Sequence, residues 1–449
     1  MKSLILMLVC ISSTVYGESS QDYVVLFKNK IAPRDSRLTR FTPYHSSYFD
    51  RLYQGKFTAK EVASLHKRRN IQKIERVHEI SFSSIIPNQA QAYSNDPLYK
   101  WQWGIQNQAQ STTSDIDDIR SRRLDGVSGI DIGGPQTLNA LEEKMQGDVI
   151  VAVIDSGVDI EHPDLKNAIF KNMTECDAEG RVRFRPTDDR DQNGYIGDCH
   201  GWDFTKENAK DGQRPFDDQG HGTHLAGILS MQRDNAVGGR GVSQKIKILP
   251  IKVSHGQSNG SGPGATPESF TDRVAKGILY ATKMGAKVIN LSLGWPRSLD
   301  TTYLREAVQE ALRQNVLIVA AAGNNHSESP IFPCAYQGVL CVGAVSVDGS
   351  LAEFSNYGGA VDILAPGDQI LSTYPQKLTP SFFSVVGHEI KNGTSQAAPF
   401  ISGLGAMLRG IFPDYSLSDL KAILFSWALK NVVGPPGPPP SGPLRGLNW

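Results

Sequence analysis

Residues 149–165, VIVAVIDSGVDIEHPDL, decide how the rest of the chain is read. Residues 149–154 are an unbroken apolar run that stops at Asp155, with Ser156 and Gly157 behind it. Such a run, bounded by polar and glycine residues, reads as a strand buried on both faces. Runs of the same kind recur at 246–253, 287–293, 316–322 and 339–345. Helical patterns lie between several of them. In 303–314, Leu304, Ala307, Val308, Ala311 and Leu312 follow the i, i+3, i+4, i+7, i+8 spacing of a helix with one buried face. Strands alternating with helices predict an α/β fold, with a mainly parallel central sheet covered by helices on both faces. Ligands of such sheets bind beyond the carboxyl ends of the strands, so the residues placed there carry the chemistry.

Asp155 closes the first run, Gly294 follows the run 287–293, and Gly323-Asn324 follow the run 316–322. His221 stands in DQGHGTHLAGIL, where Gly220 and Gly222 admit a tight entry into an apolar helix-like stretch. Ser395 stands in NGTSQAAPF, again just before a helix-like stretch. Alone, each has a plainer reading: Ser395 as a helix cap, Asp155 as a turn residue, His221 as a helix-start histidine. Together, a carboxylate, an imidazole and a hydroxyl at one sheet edge are what nucleophilic catalysis needs. The base takes the serine proton, and the carboxylate fixes the base's tautomer and stabilises its cation.

Five ordered blocks, VAVIDSGVDIEHPDL, GHGTHLAGIL, INLSLG, VAAAGN and NGTSQAAP, resemble the signature blocks of the subtilisin-like serine proteases, the subtilases, over roughly residues 95–430. The resemblance implies a catalytic set of Asp155, His221 and Ser395, in that family's chain order. Asn324 would be the oxyanion donor alongside the Ser395 backbone N–H, a contribution of about a hundred- to a thousandfold in rate. Ser292, Leu293 and Gly294 would pair with an extended peptide as an added strand. Ala321, Ala322 and Gly323, with Leu293, would line the first specificity pocket and favour bulky uncharged side chains; Glu328 reaching in would favour Lys or Arg instead. Where many members carry methionine after the nucleophile, this chain has Gln396, which cannot form a sulfoxide. The alternatives are a peptide-binding pseudoprotease and an esterase or acyltransferase with the same catalytic set.

The segment DDRDQNGYIGD, residues 188–198, places Asp189, Asp191 and Asn193 at alternate positions with Gly194 at the sixth, the pattern of a loop that wraps calcium. Tyr195 and Asp198 would complete it, although His200 stands where a closing glutamate is usual. A second calcium site, implied by the resemblance alone, would use Asp164, the Asn235 side chain, and the carbonyls of Val237 and Gly239.

The chain has 449 residues, 39% of them hydrophobic, with no net charge. Residues 1–17, a lysine followed by an apolar run and small residues, read as a secretory signal, too short to span a bilayer. Beyond it lie four cysteines, and proximity in sequence predicts Cys176–Cys199 and Cys334–Cys341 disulfides, suited to a secreted or periplasmic setting. Residues 18–94 hold 13 basic against 7 acidic residues, and residues 95–449 hold 32 against 39. A basic leader thus precedes an acidic body. The leader resembles the family's inhibitory pro-domain, with a strand-like start at Tyr23–Phe27, a helical stretch near 58–69 and a strand-like Ile80–Phe82. The polar linker 87–96 suits cleavage. The expected organisation is a signal at 1–17, a small α+β pro-domain at 18–94, a catalytic domain at 95–433 and a Pro/Gly-rich tail at 434–449. The expected partners are polypeptide substrates and the chain's own pro-domain, without nucleic acid or a membrane span, in a monomer. Residues 106–147 carry no readable pattern.

Overall fold

The computed structural model describes residues 21–27, 42–43, 52–65, 67–68, 71–76, 94–110, 124–177, 179–182, 189–206, 212–254, 267–378 and 387–428. The expected signal, the Ile80–Phe82 strand, residues 87–93 of the linker and the Pro/Gly-rich tail lie outside the described residues. The chain divides into two compact units, Met1–Ala90 and Gln91–Trp449.

In the first unit, β1 (Gln21–Phe27), β2 (Thr42–Pro43), β3 (Leu52–Phe57) and β4 (Ile71–Arg76) form an antiparallel sheet in the order β2-β3-β1-β4. The helix α1 (Ala59–Leu65) starts from a capping box: Glu61 N–H donates to Thr58 Oγ1 at 3.3 Å, and Thr58 N–H donates back to Glu61 Oε2 at 2.8 Å.

In the second unit the first α-helix among the described residues is α2 (Gly134–Lys144). It lies in the region whose sequence shows no readable pattern. The strands β5 (Val149–Asp155), β6 (Trp202–Asp203), β7 (Ile246–Lys252), β8 (Val288–Leu291), β9 (Leu317–Ala321), β10 (Leu340–Val345) and β11 (Ile363–Pro366) form a seven-stranded sheet in the order β11-β10-β9-β8-β5-β7-β6. All of its pairings are parallel. The five apolar runs are its five central strands, each trimmed by one to three residues except the first, which extends to Asp155. A two-stranded antiparallel ribbon, β12 (Ile370–Thr373) with β13 (His388–Lys391), stands apart.

The period of two along each strand sorts its side chains into two cores. Val151 and Val153 pack with Leu225 and Leu229 of α3 (His221–Ser230) and with Ile401 and Leu404 of α6 (Thr394–Ile411). Ala152 and Ile154 face the other way, against Val274 and Ile278 of α4 (Pro267–Lys283) and Leu304 and Val308 of α5 (Thr302–Arg313). A last helix, α7 (Leu417–Trp427), opens from a Ser416–Asp419 capping box. Each large apolar side chain so buried contributes about 1.5–3 kcal/mol relative to exposure. Strand order reverses at β5, whose neighbours β7 and β8 are both reached by crossovers, and the crevice beyond their carboxyl ends is where this architecture places a site.

Candidate active site

Asp155 is the last residue of β5 and is only 4% exposed. Its Oδ1 accepts from Ser156 N–H at 2.8 Å and lies 2.7 Å from His221 Nδ1. His221 is the first residue of α3, held against that strand end by close backbone approach. A Cβ on Gly222 would lie 2.1 Å from the carbonyl oxygen of Gly157, so no larger residue fits there. Gly222 N–H donates to Ser156 Oγ at 2.9 Å, and Ser156 Oγ donates to Asp217 Oδ1 at 2.8 Å. The Asp217 carboxylate also accepts from the N–H groups of Gln219, Gly220 and Thr223, tying the α3 entry together. The sequence reading missed Asp217; its signal is an acidic residue a few positions before a helix start. Burial pushes the His221 imidazole down, but the charge and hydrogen bond of Asp155, helped by Asp217, outweigh it and raise its pKa above the ordinary value.

Ser395 is the second residue of α6, which is buried almost all round and packs against α3 beneath the same face of the sheet. Its Oγ donates to the carbonyl oxygen of Ser292 at 3.1 Å. Asn324 follows β9, and its Oδ1 accepts from Thr394 N–H at 2.8 Å and from Thr394 Oγ1 at 2.9 Å. The carboxamide is thereby oriented, with Nδ2 left as its donor. A Cβ on Gly393 would lie 3.3 Å from that Nδ2.

Ser292, Leu293 and Gly294 continue beyond the end of β8, and Trp295 pairs with Phe332 after them. Ala321 and Ala322 do not share a face: the side chain of Ala321 joins the α3–α6 core, and that of Ala322 the α4–α5 core. Successive residues of an extended segment point opposite ways, so a pocket lined by this segment would meet backbone as well as side chain. Asn356 Nδ2 donates to the Ala322 carbonyl at 2.9 Å, and Gly323 N–H donates to Thr394 Oγ1 at 3.0 Å. Glu328 is exposed, against Gly358.

Residues 146–439 match the family model described as the subtilase family. The chain belongs to the subtilase family. Among its relatives is a thermophilic serine proteinase of Bacillus sp. (strain AK1), 37% identical over 258 residues, which are 58% of this chain and 51% of that protein. A cell wall-associated protease of Bacillus subtilis (strain 168) is 32% identical over 81% of this chain but 32% of its own length. The chain therefore spans about half the length of the first relative and a third of the second. A solved protease structure from Pseudoalteromonas arctica PAMC 21717 superposes with a TM-score of 0.55 at 25% identity, over 76% of this chain and 94% of that one. The mainly parallel sheet with helices is the α/β subtilase fold.

In this subtilase, ligand oxygens of Glu175, Asp189 and Asp191 lie within 4.8 Å of one another. Asp189 and Asp191 were expected there; Glu175, outside the loop motif, was missed. Gly194 turns the loop at φ +94°, a left-handed conformation that favours glycine, and its N–H donates to Asp189 Oδ2 at 2.7 Å. Glu175 Oε1 accepts from Arg190 N–H at 2.6 Å and Oε2 from Gly197 N–H at 3.0 Å. Burial, with help from Asp189 and Glu175, holds the Asp191 carboxyl above the usual range. Three hard oxygen donors gathered around a short loop fit a divalent cation. Asn193 lies beside them, its Nδ2 donating to Asp191 at 3.0 Å and to Asp198 at 2.7 Å.

Asp198 and Tyr195, expected to complete the loop, stand next to it: Asn172 and Asn193 each donate to both Asp191 and Asp198. Asp198 is fully buried, accepts from Asn172, Asn193 and the Tyr280 hydroxyl, and has its pKa pushed up to about 6 by burial. The ring of Tyr195 packs edge-on against Trp202, Phe204 and Tyr280; the seventh position of such a loop serves through its backbone carbonyl. Of the second expected set, Asp164 with Asn235, Val237 and Gly239, the structure brings the Asp164 and Asn235 side chains together. Asp164 Oδ1 accepts from Asn235 Nδ2 at 2.7 Å, and His388 Nε2 lies 3.3 Å from Asp164 Oδ2. Asn235 Oδ1 accepts from Val237 N–H at 2.9 Å.

The disulfides are Cys176–Cys199 and Cys334–Cys341, as proximity in sequence predicts. Among the described residues no helix is long and apolar enough to cross a membrane.

Proposed function

We propose that this subtilase is a secreted serine endopeptidase made as a zymogen. The observation that carries the reading is the 2.7 Å contact between buried Asp155 and His221, at the strand ends of a sheet beneath which Ser395 opens a buried helix. In this reading Ser395 Oγ leaves its resting bond to Ser292, attacks the scissile carbonyl carbon and gives its proton to His221 Nε2. Asp155, bonded to Nδ1, stabilises the imidazolium and does not itself take the proton. The oxyanion of the tetrahedral intermediate is bound by Asn324 Nδ2 and Ser395 N–H. The intermediate collapses with protonation of the leaving amine by His221, and water hydrolyses the acyl-enzyme by the reverse sequence of roles. The extended substrate pairs with Ser292–Gly294, and the backbone of Ala321–Gly323, rather than both alanine side chains, shapes the pocket.

Residues 18–94 are proposed as the inhibitory and chaperoning leader, released by self-cleavage within about residues 87–95, a position suggested by the polar linker. The basic leader complements an acidic body, and a parallel sheet's non-local pairings fold slowly without help. Calcium is proposed at Glu175, Asp189 and Asp191, with Asn193 beside them; when bound it would offset most of the charge of the three carboxylates and cross-link the loop.

An organophosphonate active-site label, applied to the mature body and mapped by peptide mass, tests the catalytic reading. A single adduct on Ser395, lost in Ser395→Ala, is expected. Active protein with its adduct elsewhere would overturn the assignment, and an inert protein would favour a peptide-binding pseudoprotease.

A further inference from the structure

In an α-helix the carbonyl of residue i receives the N–H of residue i+4. Four residues after Ser395 stands Pro399, inside α6. Proline has no N–H, and its ring crowds the carbonyl four residues earlier. The Ser395 carbonyl therefore cannot receive that helical hydrogen bond, at the one turn where a nucleophile must be held still.

The missing donor comes from another element. Ser292 Oγ donates to the Ser395 carbonyl at 2.8 Å. Asn290, on β8, steers that hydroxyl: its Nδ2 donates to Ser292 Oγ at 3.0 Å, and its Oδ1 accepts from Ser402 Oγ at 2.8 Å. With Asn290 donating to its oxygen, the Ser292 hydroxyl is free to spend its one proton on Ser395. Asn290 and Ser402 are fully buried, and Ser292 is 5% exposed. The relay is closed by the resting bond from Ser395 Oγ to Ser292 O, so the two serines hold each other at both ends.

We propose that Ser292, steered by Asn290, is a positioning residue for Ser395: its hydroxyl replaces the helical donor that Pro399 removes and so fixes the first turn of α6. The role goes beyond pairing with substrate backbone, which needs no side chain at this position. It rests on the reading of Ser395 as nucleophile. Loss of the donor leaves a buried carbonyl unpaired and lets the first turn shift, and small misplacements of a reacting group are costly in rate.

Steady-state kinetics on a peptide p-nitroanilide test it. Ser292→Ala should lower kcat by about tenfold to a hundredfold with KM held within about twofold, because the group acts on placement of the nucleophile. Ser292→Thr, which keeps a hydroxyl, should recover much of the loss. Pro399→Ala restores an N–H to the helix, so in that background Ser292→Ala should cost less than about threefold, a coupling that separate structural roles would not show. Should Ser292→Ala fail to fold, Asn290→Ala replaces it, again with a kcat loss that Pro399→Ala reduces. A change confined to KM, or an equal loss in both backgrounds, would overturn the proposal. A phosphonate adduct on Ser395 with unimpaired kcat in Ser292→Ala would overturn this inference alone; absence of that adduct removes the reading beneath it.

Discussion

Asp155 acts on His221 in two ways: it fixes Nδ1 as the bonded nitrogen, and its charge favours the imidazolium. The raised pKa has a consequence for activity. A general base must be neutral, so kcat/KM should rise with pH through the His221 pKa, giving an acid limb whose midpoint lies above about 6.5, the ordinary imidazole value. In Asp155→Asn the residual activity, about ten-thousandfold lower, should show that limb displaced to lower pH. A limb at the same pH in both proteins would mean that another group governs it. These residues were legible in the sequence because each follows a strong apolar run or precedes a helix-like one. Asn290 and Ser402 were not legible, since a polar residue inside an apolar stretch gives no sign of the partner that satisfies it. Ser292 was read for its backbone, and the work of its hydroxyl became visible only with the Ser395 carbonyl beside it.

The elements show the same division between local and distant information. Strands β5, β7, β8, β9 and β10 were legible because burial on both faces leaves a continuous apolar run. Strand β6 has two residues and β11, β12 and β13 four each, too few to establish a period. Helix α2 opens on Gly134-Pro135, and its polar composition hid it. In the acidic loop, Asp189 and Asp191 share a motif, but Glu175 arrives from the preceding turn, next to the Cys176–Cys199 disulfide. The loop account predicts that a chelator lowers the thermal midpoint of Ser395→Ala protein, which cannot digest itself. Saturation at a hundred times Kd would be worth about 2.7 kcal/mol. Glu175→Gln should abolish most of the chelator effect, whereas Asp164→Asn should leave it in place, because His388 and Asn235 already occupy the Asp164 carboxylate. The converse pattern would put the ion at Asp164.

Across the whole molecule, the chain is proposed to carry its own first substrate. The linker near residues 87–95 is proposed to hold a bond that this enzyme cuts. The proposed division rests on composition. A basic leader, a polar linker and an acidic body differ in composition, and composition survives in a bare sequence where contacts do not. The measurement that tests the account most directly is therefore made on the full chain, synthesised in a protease-free translation system as wild type and as Ser395→Ala. The account predicts that the wild type is shortened to a body beginning close to Asn95 while Ser395→Ala stays full length; equal processing of the two would contradict it.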